Sequence, residues 1–159
     1  MIDILLADYR DPVHAAAVVE LLDAYASDPA GGGTPLDAEV KQSLPAALAA
    51  RPQAYSVLAL DGDTPVGLVN CIEGFSTFAC RPLVNVHDVV VVASHRGQRI
   101  AQRMLERVEA EARARGACKL TLEVLSGNQP ALRAYEREGF AGYQLGATFG
   151  TAVFLQKKL

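Results

Sequence analysis

The chain has 159 residues, of which 50 % are hydrophobic and 21 % charged, and its formal net charge is −3. That length suits one ordinary domain with a real core, and the composition excludes an intrinsically disordered chain. The acidic balance, the absence of Trp and the low aromatic content of 6 % argue against a nucleic-acid partner.

Ile2, Ile4 and Leu6 alternate as a first strand. Asp11-Pro12 reads as a helix start, with Asp as N-cap, and the helix runs to about Ser27. Asp28 to Pro35 is a loop with three successive glycines, Gly31 to Gly33. A second helix is predicted over Leu36 to Ala50, kinked or broken at Pro45. Tyr55–Leu60 and Val66–Glu73 read as strands joined by the hairpin turn Asp61 to Pro65. Gly74 to Pro82 is predicted as a loop. Val84–Val92, with six valines in nine residues, is the most strand-like stretch and is expected to be central.

A polar turn follows, then a long helix from about Gly97 to Arg115. Its apolar stripe is Ile100, Met104, Leu105, Val108 and Ala112, and Gly116 ends it. Lys119–Leu125 reads as a strand and Asn128–Glu138 as a short helix closed by Gly139. Gly142–Thr148 and Thr151–Leu155 are predicted to close the sheet as a hairpin. Hairpins mixed with helical crossovers predict an α/β (α+β) fold, with a mixed sheet and helices on both faces. No linker or repeat interrupts the chain, so one domain over 1–159 is expected.

Cys71, Cys80 and Cys118 form no metal-binding spacing and are expected to be small buried thiols; no metal is expected. Asp3 and Asp8 lie in the first ten residues, so a signal peptide is not expected there. No apolar run approaches the roughly 20 residues that span a bilayer. A cytoplasmic protein with no membrane partner is the expectation.

The chemistry is expected where Val84–Val92 gives way to Arg96-Gly97-Gln98-Arg99-Ile100-Ala101. A turn that opens a helix after a buried strand presents N–H groups without intrahelical partners, which together with the helix dipole attract an anion. It is not a Walker loop, because no Gly-Lys-Ser/Thr follows. Alternation along the preceding strand puts Asn85, His87, Val89 and Val91 on one face and Asp88 on the other.

These residues resemble the GNAT superfamily of acyl-CoA-dependent N-acyltransferases. Its signature Arg/Gln-x-x-Gly-x-Gly/Ala is matched by Arg96, Gly97 and Ala101, but Arg99 stands where glycine is usual. A second signature, Asn-x-x-Ala-x-x-x-Tyr-x-x-x-Gly-Phe, is complete as Asn128, Ala131, Tyr135, Gly139 and Phe140.

The resemblance implies a sheet of about six to seven strands with strands four and five splayed. It implies acetyl-CoA as co-substrate, with its pyrophosphate on the N–H groups of Gln98, Arg99, Ile100 and Ala101. The pantetheine would lie along Val89, Val90 and Val91, near Asn128. Tyr135 would protonate the leaving thiolate. His87, whose residue type ordinarily titrates near 6.5, would take the amine's proton. The backbone N–H of Val89 would steady the oxyanion. Gly32, Phe75, Arg81 and Asn85 would border the acceptor, with Glu73 and Asp28 attracting a cationic amine.

Homodimers are common in the family. No cysteine is placed as an acyl carrier, which favours direct transfer to a primary amine of a small molecule or peptide in a ternary complex. The alternative is a non-catalytic acyl-CoA-binding sensor, which would keep the turn without needing His87 or Tyr135. Residues 1–95 hold 4 basic and 12 acidic residues, and residues 96–159 hold 11 and 6. That polarity suits a cationic acceptor on one side and a polyanionic donor on the other.

Overall fold

Apolar residues at alternating positions build a five-stranded sheet in the computed structural model, which describes Met1–Leu159. The strands are β1 (Ile2–Leu6), β2 (Ala54–Asp61), β3 (Thr64–Ser76), β4 (Arg81–Val91) and β5 (Leu120–Leu122), in that spatial order. The first four pair antiparallel, and β5 joins β4 parallel. The helices are α1 (Pro12–Ser27), α2 (Ala38–Ala49), α3 (Ile100–Ala114), α4 (Gln129–Arg137) and α5 (Gly146–Phe149). Two compact units emerge, Met1–Leu122 and Glu123–Leu159.

Within Met1–Leu122, helices cover both faces of the sheet. Leu58, Leu68 and Val90 pack with Val18 and Leu21 of α1. Gly67, the neighbour of Leu68, faces the other way. A Cβ built there would lie 2.9 Å from Met104 Cε of α3, so the residue's smallness lets that helix approach. The whole predicted stripe of α3 is buried. Each fully buried Leu or Val side chain contributes about 1.5–3 kcal/mol, so these two layers supply most of the driving force.

Helix ends follow from their capping residues. The Asp11 carboxylate accepts from the Val13 N–H at 2.8 Å and starts α1. Gly116, at φ +75°, ends α3, and the Ala117 N–H returns to the Ala112 carbonyl at 2.9 Å.

Several sequence expectations are corrected. The sheet has five strands rather than six to seven. The predicted C-terminal hairpin is reduced to one bridge, Gln144 to Thr151, around α5. Gly146 and Gly150 adopt positive φ there, which breaks extended backbone. β5 keeps three residues of the seven predicted. The loop predicted over Gly74 to Pro82 is mostly strand, because cross-strand pairing runs on to Ser76 opposite Arg81. Helix α2 continues past Pro45 without a break. Of the cysteines only Cys71 is buried; Cys80 is exposed and Cys118 intermediate. No helix is long and apolar enough to cross a membrane.

Candidate active site

In the β3–β4 ladder Asn70 stands opposite Asp88, and the next pair is Cys71 opposite Val86. His87 is therefore the extra residue of a β-bulge. A bulge resets side-chain alternation. Asn85, opposite Ile72, and Asp88, opposite Asn70, now share the face that carries Leu68 and Val90 toward α1. This corrects the expectation that Asp88 points away from Asn85 and that Asn85 shares a face with Val89 and Val91.

The His87 ring is exposed, with Nδ1 3.0 Å from Asn85 Oδ1. The Asn85 amide nitrogen in turn donates to Thr121 Oγ1 at 3.1 Å. An amide oxygen only accepts, so His87 carries its hydrogen on Nδ1, and Nε2 is the basic nitrogen.

The outer edge of β4 is paired with β5 only at Val84, Asn85 and Val86. The Val92 N–H donates toward β3, to the Val66 carbonyl at 3.0 Å. Backbone direction alternates along a strand, so the N–H groups of Val91 and Val89 point to the outer edge. Val90 N–H faces β3, and its side chain lies in the α1 cluster.

The turn after β4 places Gly97 at φ +80° and Arg99 at φ +59°. No side chain caps α3, and within Met1–Leu122 the N–H groups of Gln98, Arg99, Ile100 and Ala101 meet no acceptor. The Ile100 side chain is buried in the core, which anchors the helix start. A Cβ at Gly97 would touch nothing, so this cradle is open. These N–H groups gather at the positive end of a 15-residue helix, a setting that favours an anion. Arg96 does not project freely from this turn. Its Nε donates to the Val91 carbonyl at 3.2 Å, and its Nη2 pairs with Asp28 Oδ2 at 3.4 Å.

The expected acceptor-side residues fall in different surroundings. Gly32 lies at φ +119° in the loop after α1, and Phe75 is exposed on β3. Arg81 donates to the Gly116 carbonyl at 3.2 Å. Glu73 pairs with Arg115 at 3.5 Å, so its charge is engaged. His95 hydrogen-bonds Ser94 and lies 3.5 Å from Asp61. Burial pushes the Cys71 thiol up to about 12, which removes it as a nucleophile.

In Glu123–Leu159, Asn128 caps α4, its side-chain oxygen accepting from the Ala131 N–H at 3.3 Å. Tyr135 lies on that helix, its ring edge-on to Phe140 with centroids 6.0 Å apart. Gly139, at φ +85°, lets the Phe140 N–H return to the Tyr135 carbonyl at 3.0 Å. The second sequence signature is thus one capped helix with its terminating turn.

Sequence reading passed over Tyr9, Ser56 and Asn70. Tyr9 OH lies 2.8 Å from Ser56 Oγ, and Ser56 Oγ donates to Asn70 Oδ1 at 2.6 Å. The Asn70 amide nitrogen donates to Asp88 Oδ2 at 3.0 Å. The available signal was a lone polar residue inside each of two apolar strands.

The acetyltransferase (GNAT) family profile matches residues 15–140. The chain belongs to the GNAT acetyltransferase family. It is 37 % identical over 79 residues to the streptothricin acetyltransferase of Streptomyces lavendulae, a match over 48 % of this chain. The chain spans 42 % of that relative's length. A ribosomal-protein-alanine N-acetyltransferase from Brucella melitensis shares the fold at TM-score 0.77 and 20 % identity, over 99 % of this chain and 100 % of that one. An aminoglycoside acetyltransferase from an uncultured soil metagenomic sample does so at TM-score 0.79 and 17 % identity, over 99 % and 96 %.

Proposed function

We propose that the whole chain acts as one acetyltransferase domain, moving an acetyl group from acetyl-CoA to a primary amine by direct attack in a ternary complex. The observation that carries this reading is the turn Gln98–Ala101, whose unpaired N–H groups follow a strand with an open outer edge. Acetyl-CoA is a polyanion on a long polar arm. Its pyrophosphate would lie on the turn, and its pantetheine would hydrogen-bond the outward N–H groups of Val89 and Val91.

In the reaction the neutral amine attacks the thioester carbonyl carbon. The carbon–sulfur bond breaks as the carbon–nitrogen bond forms. The amine's proton passes to His87 Nε2, directly or through water, and Tyr135 O–H protonates the departing thiolate. The Val89 N–H would accommodate the oxyanion. Streptothricin and the aminoglycosides, which the relatives' names give as acceptors, are both cationic amine-bearing compounds. Such an acceptor suits the acidic first part of this chain.

The test is thiol release from acetyl-CoA across a panel of amines that includes streptothricin, an aminoglycoside and peptide N-termini. Turnover with at least one amine is expected. Acetyl-CoA binding without turnover on any amine would favour the sensor alternative instead.

A further inference from the structure

A hydrogen-bonded chain crosses three strands on the α1 face, from Tyr9 through Ser56 and Asn70 to Asp88. Ser56 is 0 % and Asn70 7 % exposed, so neither can turn to water for a partner. The direction of the chain follows from its donors. The Asp88 carboxylate oxygen at its end accepts, so the Asn70 amide must present nitrogen there and oxygen to Ser56. Ser56 spends its only hydrogen on that oxygen, and Tyr9 must then donate to Ser56.

Every donor therefore points toward Asp88, which the chain holds in one orientation. The reverse direction would set an amide oxygen against a carboxylate oxygen. Burial raises the Tyr9 phenol, which keeps its proton available at the far end. The Tyr25 phenol of α1 is likewise raised, by burial and then by the charges of Asp88 and Asp28, so Asp88 also faces α1. The bulge at His87 turns Asp88 onto this face. Its second oxygen, Oδ1, accepts no hydrogen bond from within Met1–Leu122, and no buried side-chain oxygen is left unsatisfied.

We propose that Asp88 seats the ammonium group of a cationic acceptor through Oδ1, and that Tyr9, Ser56 and Asn70 are positioning residues that hold the carboxylate aimed. The proposal rests on the acetyl-transfer reading above. It identifies the acceptor as an amine that arrives charged, passes its extra proton to solvent by way of His87, and then attacks as the neutral amine.

The test is steady-state kinetics with streptothricin as the probe, or with the best amine of the panel, with each substrate varied in turn. Asp88→Asn and Asn70→Leu should raise the acceptor KM about tenfold or more, while the acetyl-CoA KM stays within about twofold. Ser56→Ala should do the same more weakly, and Ser56→Thr, which keeps the hydroxyl, should restore the acceptor KM. In amide NMR the two Asn70 side-chain protons should be widely split in the wild type and should converge in Asp88→Ala. An active enzyme whose acceptor KM ignores Asp88→Asn and Ser56→Ala would overturn the seat alone. A wild type that turns over no amine would overturn acetyl transfer and the seat with it.

Discussion

Arg96 Nη2 lies 3.4 Å from Asp28 Oδ2, while the Nε of the same guanidinium donates to the Val91 carbonyl. One side chain thus ties the turn before α3 both to β4 and to the loop after α1. The pair is exposed, so it adds little to global stability. Its consequence is positional. Asp28→Asn should leave the melting temperature nearly unchanged but raise the acetyl-CoA KM in the same direction as Arg96→Ala. If only Arg96→Ala has that effect, the guanidinium acts without Asp28.

The acidic side of the stability profile follows from two carboxylates. Asp23 is held below its ordinary 3.8 by Lys41 at 2.7 Å and by the Leu36 N–H. Asp28 is lowered too, by the Ala30 N–H and then by Arg96, but that pair is exposed and its share is small. A depressed folded value means stabilisation that is complete above the unfolded value and lost as pH falls through the folded one. Melting temperature should therefore be flat above about pH 5 and fall on acidification below about pH 4. Asp23→Asn should flatten that fall in thermal melts across the range, and an unchanged slope would remove the Lys41 pair as its cause.

Arg99 occupies the left-handed region at φ +59°, where glycine is usual in the signature and where a side chain costs about 1–2 kcal/mol. Arg99→Gly should raise the melting temperature by about 2–4 °C, the shift expected per kcal/mol for a domain of this size. The pyrophosphate contact proposed for this turn is made by backbone, so the acetyl-CoA KM should change less than threefold or so. A large rise in KM at unchanged stability would show that the guanidinium itself holds phosphate.

How much of this was legible in the sequence depends on the range of the interactions. The α3 stripe, the Asp11 cap and the Gly116 stop are decided within a few residues, and each is found where its pattern puts it. The bulge at His87 leaves no local trace, because a valine-rich strand looks the same with or without an extra residue. Only the register against β3 reveals it. For that reason strict alternation separates Asp88 from Asn85, and it gives no sign that Asn70 donates to the Asp88 carboxylate or that Ser56 donates to Asn70. The ends of β3 and β4 were likewise lengthened by cross-strand pairing that a single-strand pattern does not contain.

The two proposed proton-transfer groups make separable predictions. In His87→Ala the acidic limb of the pH–rate profile should disappear, since no other imidazole lies beside Asn85. A limb that persists would clear His87 as the base. Tyr135→Phe should lower kcat by about a hundredfold while acetyl-CoA affinity stays close to the wild type, because the lost hydrogen acts only as the thiolate leaves. Unchanged kcat would reduce Tyr135 to a packing residue beside Phe140.

The loop after α1 gives a purely steric prediction. Its three glycines are not equivalent. Gly32 and Gly33 have positive φ and open space around them, whereas a Cβ on Gly31 would lie 2.0 Å from the Tyr25 carbonyl oxygen. That oxygen also accepts the Asp28 N–H at 3.0 Å, so backbone and not a movable side chain is in the way. Gly31→Ala should therefore displace the loop that holds Asp28, and with it the partner of Arg96. The expected outcome is faster amide exchange over residues 28–34, a lower melting temperature and a raised KM for acetyl-CoA. Gly33→Ser meets no such clash and should cost only the strain of its positive φ, about 1–2 kcal/mol. Equal exchange rates over the loop in both variants would show that the Tyr25 carbonyl yields.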